Sequence, residues 1–403
     1  MAKLWIISEL YFPEQTSTGF FLTEISKGLT SDFSVSVICG QPNYSERGTT
    51  APKREILNGV DVHRLWSTRF GRNRTLLRII NLLTFSLSVF VFCLLNFKRD
   101  DRVLVVTNPP SVAPVVGIAA AIRRSAATLL VHDVYPEVLA VTGSLKQQSI
   151  SYKTLSFLFS RSYGLFRTVV VLGRDMAEIA LGKLGKVPRE VEIITNWGDV
   201  NEIGPIPRDR NILRTELALG DRFTVQFSGN IGRTHDVELI LHAARLLRAR
   251  DDIVFMFVGE GGKADLIKSG AGEADASNLR FLPRQPRTRL NAMLAASDVT
   301  IIPFIDGMYG LSVPSRMYNI MSAAVPIIAI AHPQSELALT IRENTAGWVL
   351  NERSPQALAN VIVQLATPEG RVEARTRGAN ARQAVEVNYT LSVVLDRYRR
   401  VLV

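Results

Sequence analysis

The residues of this 403-residue chain that could do chemistry lie in short segments rich in glycine, backbone N–H groups and cations. Ser228-Gly229-Asn230-Ile231-Gly232-Arg233-Thr234-His235 follows an apolar run and precedes a helical pattern that begins near Asp236. Its glycines let the backbone approach a ligand, and the Arg233 guanidinium can grip a diphosphate. A plain turn with a solvated arginine would give the same string. The segment from Ile301 to Ala331 ends a strand near Phe304 and opens a helix at Pro314 or Ser315. Proline suits a first helical turn and serine a cap. Arg316 and Asn319, three apart, share one helix face, so one can hold phosphate and the other can bond hydroxyls.

Three further places belong to this set. Gly259-Glu260-Gly261-Gly262 is a tight turn suited to packing around a base or ribose. The loop from Ser8 to Gly19 ends in Thr18 and Gly19 at a helix start, where free N–H groups and the helix dipole favour an anion. A capped helix without a ligand reads the same way. His132, followed by Asp133, comes directly after the strand-like TLLV and is placed to contact a sugar or shuttle a proton. The alternative is a structural histidine satisfied by Asp133.

Apolar runs of strand length alternate with helical periods along the whole chain, the pattern of parallel sheets built from βαβ units. The first series of strands is expected at residues 4–7, 35–39, 60–65, 103–107, 128–131, 168–172 and 191–194. The second is expected at 223–227, 253–258, 279–282, 299–303, 326–330 and 347–349. Residues 196 to about 221, broken by Gly198, Gly204, Pro205 and Pro207, read as an interdomain linker. The division is therefore 1–200 and 201–387, with a terminal helix at 388–403 that can return to the first domain. Doubly wound sheets bind ligands at the carboxyl ends of their strands, so two facing sheets would make one cleft for two substrates.

Composition narrows the partners. The formal charge of +10 calls for an anion, and the cations are scattered along the chain without the interleaved aromatics that read single-stranded nucleic acid. Nucleic acid is set aside in favour of diphosphates and a membrane surface. Cys39 and Cys93 are far apart and read as reduced core residues of a cytoplasmic protein, and no secretory signal opens the chain. Ile79–Phe97 is a run of 19 residues without a charge, flanked by Arg72, Arg74 and Arg78 before and Lys98, Arg99 and Arg102 after. It reads as a buried helix, a helix lying in the headgroup plane, or a membrane span. No DxD-type acidic pair is present to hold a metal, and the missing GxGxxG argues against a dinucleotide dehydrogenase.

In order along the chain, the Pro-Glu…Gly loop after the first strand, VHDVYPE (131–137), ITNWGDV (194–200), FSGNIGR (227–233), FVGEGG (257–262), the segment 281–303 that contains Arg284, and VPSRMYNIMSAAVPIIAIA (313–331) resemble glycosyltransferase family 4. The likeness is strongest to bacterial cell-surface polysaccharide enzymes, and it spans nearly the whole chain. It implies a GT-B fold: two Rossmann-like α/β domains facing across a cleft, an N-terminal acceptor domain and a C-terminal donor domain. It further implies transfer of a sugar, with retention, from a nucleotide diphosphate donor; the lack of an acidic pair makes metal-independent chemistry the expectation, and the basic excess with Ile79–Phe97 points to a lipid-linked or saccharide acceptor at the inner face of a membrane. A UDP-sugar is the expected donor, and no cofactor is required.

The resemblance also assigns roles. Gly19 approaches the donor diphosphate, Arg233 and Arg316 balance its charge from the other side, and Asn319 stands where a family glutamate bonds the ribose; Thr18, Gly229, Asn230, Glu260, Arg284 and Ser315 complete the expected donor-binding set. His132 and Asp133 lie beside the transferred sugar. Two departures stand out: Leu311 and Asn319 occupy the two positions of the family's E-x7-E motif, and the lysine of many members falls near Thr234 or His235. An amide bonds a ribose hydroxyl less strongly than a carboxylate. The alternatives are an epimerase of the same architecture and an inactive sugar-nucleotide binding protein.

Overall fold

The computed structural model describes residues 1–42, 50–71, 75–272 and 277–403, so Arg72 and Arg74 lie outside the described residues. The chain divides into two compact units. The first is Met1–Thr195 with Gly310–Ser312 and Val394–Val403, and the second is Asn196–Tyr309 with Val313–Val393.

In the first unit β1 (Ala2–Ile7), α1 (Ser17–Gly28), β2 (Phe33–Cys39), β3 (Arg54–Leu57) and β4 (Val60–Arg64) come before the long α2 (Thr75–Asn96). Then follow β5 (Arg102–Val106), α3 (Val112–Arg123), β6 (Ala126–Val131), α4 (Glu137–Val141) and α5 (Ile150–Tyr163). β7 (Thr168–Val171), α6 (Arg174–Leu184) and β8 (Glu190–Ile193) complete it. The eight strands run in the order β3-β4-β2-β1-β5-β6-β7-β8, parallel throughout except for β3 against β4. Central strands are buried almost end to end, as parallel sheets covered on both faces must be.

The second unit contains α7 (Ile212–Glu216), β9 (Phe223–Asn230), α8 (Val237–Leu246), β10 (Ile253–Glu260), α9 (Ala264–Ala271) and β11 (Leu279–Leu282). It continues through α10 (Leu290–Ala295), β12 (Val299–Pro303), α11 (Arg316–Ser322), β13 (Ile327–Ile330), α12 (Glu336–Glu343) and β14 (Gly347–Leu350). α13 (Pro355–Ala366) and α14 (Pro368–Asn388) close it. Both start with proline behind a capping side chain, Ser354 accepting from Ala357 N and Thr367 from Gly370 N. The all-parallel sheet runs β11-β10-β9-β12-β13-β14 over a core that includes Phe223, Phe227, Phe255, Phe257 and Ile301. α15 (Leu391–Leu402) ends the chain on the first unit. Leu395 packs on Gly28, where an added Cβ would lie 2.3 Å from the leucine, and Arg399 pairs with Asp32 at 2.9 Å.

Three expectations are corrected by the structure. β3 is an additional, antiparallel edge strand; its exposed charges Arg54 and Glu55 hide it from an apolar-run search. Residues 196–221, expected as the interdomain linker, pack as part of the second unit, with Trp197, Ile203 and Leu213 buried. The Arg382 guanidinium ties down the backbone there through Val200 O and Ile203 O. Ser315 stands at the N-cap position of α11, but its side chain caps nothing.

Candidate functional site

Each sheet has a switch point where the strand order reverses, between β1 and β5 in the first unit and between β9 and β12 in the second. Connections leave such a point in opposite directions and open a crevice at the carboxyl ends of the strands. The sequence-predicted residues sort onto these two places.

In the second unit β9 and β10 stay in register to their last residues, Gly229 opposite Gly259 and Asn230 opposite Glu260. Both glycines have positive φ, and a Cβ on Gly259 would stand 1.9 Å from Gly229 O, so no other residue fits there. Arg316 at the start of α11 lies against this strand end. It donates from Nη1 to Ser228 O at 2.7 Å, and its guanidinium lies over the Phe227 ring at 4.7 Å. Its Nε and Nη2 are shut from solvent without a hydrogen-bond partner, and burial lowers its pKa to about 9. A cation in that state is costly until an anion reaches it.

His235 is beside it, bridged to Phe304 after β12 and stacked on that ring at 5.4 Å. Burial first, then repulsion by Arg316 and Lys263, hold its pKa well below the ordinary imidazole value, and its Nε2 has no partner. Lys263, which carries no sequence signal of its own, follows Gly262 directly; its Nζ donates to His235 O at 3.1 Å and to Glu238 at 2.9 Å. A lysine therefore lies near the loop from another strand end. Arg233 is exposed on the loop, and Glu260 pairs with Arg284 at 3.2 Å at the end of β10. Asn319 lies one helical turn from Arg316, but its Oδ1 accepts from Asp199 N at 3.2 Å.

In the first unit His132 and Thr18, 114 positions apart in sequence, come together at 3.4 Å between Nδ1 and Oγ1. Thr107, at the end of β5, was missed by the sequence reading, and its only signal was its place just before Asn108-Pro109. Its hydroxyl accepts from His132 N at 3.1 Å and Asp133 N at 3.4 Å, fixing the turn after β6. Burial lowers the His132 pKa to about 4, so the imidazole is neutral at physiological pH. Burial raises that of Asp133, with a hydrogen bond from Ser312 opposing, and the carboxyl faces Ser312. Gly19 is placed differently from expectation: its N–H already donates to Thr16 Oγ1 at 3.2 Å, and a Cβ there would lie 2.7 Å from Glu14 O. Leu311 is buried, and its carbonyl accepts from Val134 N at 2.9 Å.

Two doubly wound α/β units, each with polar groups gathered at its switch point, define the GT-B fold class. An Anabaena protein, Alr3699/HepE, solved in complex with UDP-glucose, has this fold with a TM-score of 0.74; the match covers 100% of this chain and 99% of that one at 15% identity. Residues 209–384 match the family of glycosyl transferases group 1. A probable glycosyltransferase of Pseudomonas aeruginosa, WbjE, is 31% identical over 402 residues, 99% of this chain and 97% of the relative. An Escherichia coli K12 protein named as a candidate colanic acid biosynthesis glycosyl transferase, WcaI, is 25% identical over 350 residues, 83% of this chain and 84% of that one. The chain belongs to the glycosyl transferases group 1 family and is a glycosyltransferase.

Proposed function

We propose that the protein transfers a sugar, with retention and without a metal, from a nucleotide diphosphate donor to a lipid-linked or saccharide acceptor at a membrane during surface polysaccharide synthesis. The observation that carries the donor reading is Arg316, a cation with two nitrogens shut from solvent and without a partner at the switch point. The HepE complex, which holds UDP-glucose, and the naming of WcaI for colanic acid biosynthesis support a UDP-sugar donor and a polysaccharide product.

Breaking the bond between the anomeric carbon and the β-phosphate oxygen sends an electron pair onto the diphosphate. Arg316, Arg233 and the amides around Gly229 balance that charge, and a donor already aimed at developing charge is worth ~2.7–4 kcal/mol. The acceptor hydroxyl oxygen bonds to the anomeric carbon on the face the diphosphate leaves, and its proton passes to the departing phosphate oxygen. His132, neutral and positioned by Thr107, hydrogen-bonds the transferred sugar. Asn319 offers its amide to the ribose.

The test is transfer from a panel of labelled nucleotide sugars to lipid extract, with and without a chelator. Equal formation of nucleoside diphosphate and glycosylated product, unaffected by the chelator, is expected. Loss of turnover on chelation removes the metal-free reading, and inversion at the anomeric carbon removes retention.

A further inference from the structure

α2 is long and apolar enough to cross a membrane, yet it is packed as part of the first unit. Its inner side, with Phe85, Val89 and Cys93, is buried, and Phe92 and Phe97 just beyond stand against Trp5 of β1 at 5.9 and 5.8 Å. From Phe85 to Cys93 the helix is fastened to the sheet and to the start of α3, with Ser86 bonded to Ser111 at 2.8 Å, so that half cannot be surrounded by lipid on all sides. Its outer side is a second apolar stripe: Leu76, Ile79, Leu83, Leu87, Val91 and Leu95 recur every three or four residues and are all exposed, Leu83 by 59% and Leu87 by 64%.

The stripe continues onto neighbouring helices. The crossovers carrying α2, α3 and α5 all run the same way across the sheet, from β4 to β5, β5 to β6 and β6 to β7, so right-handed connections put the three on one face. Gly117 lets α3 close on Leu165 just after α5, where a Cβ would lie 2.9 Å from the leucine. Ile118 and Ile122 of α3, and Phe157 and Leu158 of α5, are exposed as well. An apolar face of this extent on a soluble unit marks an interaction surface.

Charge selects the occupant. Residues 62–174 contain 15 lysines and arginines but only four acids, Asp100, Asp101, Asp133 and Glu137, so the chain's whole formal excess of +10 resides there. The cations are therefore concentrated in this region and not spread evenly along the chain. Lys98, Arg99, Arg123 and Arg124 are exposed where α2 and α3 end, and the two ends are joined by Arg123 Nε to Phe97 O at 2.8 Å and Ser125 Oγ to Lys98 O at 2.9 Å. A second copy of the chain would bring the same surplus of cations to the interface; an anionic bilayer complements both the charge and the apolar stripe.

We infer that the outer face of α2, α3 and α5 is a docking surface for an anionic lipid bilayer, with the apolar stripe at the acyl boundary and the cations among the headgroups. This deepens the membrane part of the proposed function by naming the face that carries it. The test is co-sedimentation of the full chain with vesicles of phosphatidylcholine alone or mixed with phosphatidylglycerol. Binding to the mixed vesicles is expected to exceed that to phosphatidylcholine by at least about tenfold. Leu83→Asp with Leu87→Asp, and separately Phe157→Asp with Leu158→Asp, should each weaken it by about tenfold or more, since each puts charge into the acyl boundary. These side chains are exposed, so circular dichroism and nucleotide diphosphate binding should stay as in the wild type.

No binding to the mixed vesicles overturns the inference. So does unchanged binding by the α5 variant, which would leave α2 alone, or a dimer in sedimentation equilibrium that these substitutions dissolve. Failure here with nucleotide binding intact sinks only the docking surface. Vesicle binding without nucleotide binding sinks the proposed function instead.

Discussion

Replacing Arg316 by methionine should separate stability from ligand binding. In the folded protein burial holds the guanidinium down to a pKa of about 9, well below the ordinary arginine value. At 1.36 kcal/mol per pH unit that difference bounds the desolvation cost at ~5 kcal/mol. The residue is partly exposed, and screening by water brings the cost to ~2 kcal/mol. Against this stand the bond to Ser228 O, ~1.5–3 kcal/mol for a charged donor, and the contact over Phe227, ~0.5–1 kcal/mol. Arg316→Met is therefore expected to lose at most about 2 kcal/mol of stability. Removing the charge-assisted bonds to a diphosphate, ~1.5–3 kcal/mol, should weaken its binding roughly ten- to hundredfold.

Arg214 is the control. It is buried, and Nη1 donates to Ala296 O at 2.6 Å and Nη2 to Gly220 O at 2.7 Å, with Asp298 4.0 Å away. Arg214→Met leaves those acceptors unmatched and should lose ~3–5 kcal/mol. Urea unfolding gives the stabilities, and calorimetric titration with uridine, guanosine, thymidine and adenosine diphosphates gives the affinities. A loss of stability in Arg316→Met equal to that in Arg214→Met, with diphosphate affinity untouched, would make Arg316 a structural arginine and not a ligand contact.

Four more predictions follow the geometry. His132→Ala should cut turnover by roughly 10²–10⁴ with little change in unfolding, and unaltered turnover removes His132 from the site. Because the His132 pKa falls to about 4 in the fold from 6.5 unfolded, the unfolded chain takes up the proton first. Stability is then lost as pH falls from about 6.5 to about 4, by up to ~3 kcal/mol from this residue, and His132→Gln should flatten that part of a urea series run across those pH values. Thr107→Val deletes two acceptor contacts to backbone N–H groups and should lower turnover about tenfold while KM for the donor holds, measured by steady-state kinetics. Gly259→Ala forces a Cβ into Gly229 O at positive φ and should cost ~2–4 kcal/mol together with nucleotide binding; a soluble variant that binds as the wild type contradicts that packing.

Most of the sheet skeleton was legible because parallel strands buried on both faces leave continuous apolar runs, as in β5, β6 and β12. β3 was not, since an exposed edge strand carries polar residues and only its pairing with β4 defines it. The loop Ser228–His235 and the pair Arg316 and Asn319 could be found from glycine placement and helix spacing. What each side chain touches could not: that Asn319 is committed to Asp199 N, Gly19 to Thr16, and Thr107 to the His132 turn depends on contacts between distant segments. Lys263 was likewise invisible, because its nearness to His235 arises from the register of β9 against β10. The clustering of cations in residues 62–174 could be read directly but needed a count by region instead of by chain.

The most direct measurement is transfer itself. The purified protein is incubated with a nucleotide sugar that stabilises it, the sugar carrying a radiolabel, together with an organic extract of membranes. Label is expected in the lipid or saccharide product in a one-to-one ratio with released nucleoside diphosphate, and is expected to be lost in Arg316→Met at limiting donor. Label that stays on the nucleotide, either as bound donor or as an isomerised sugar, would contradict transfer.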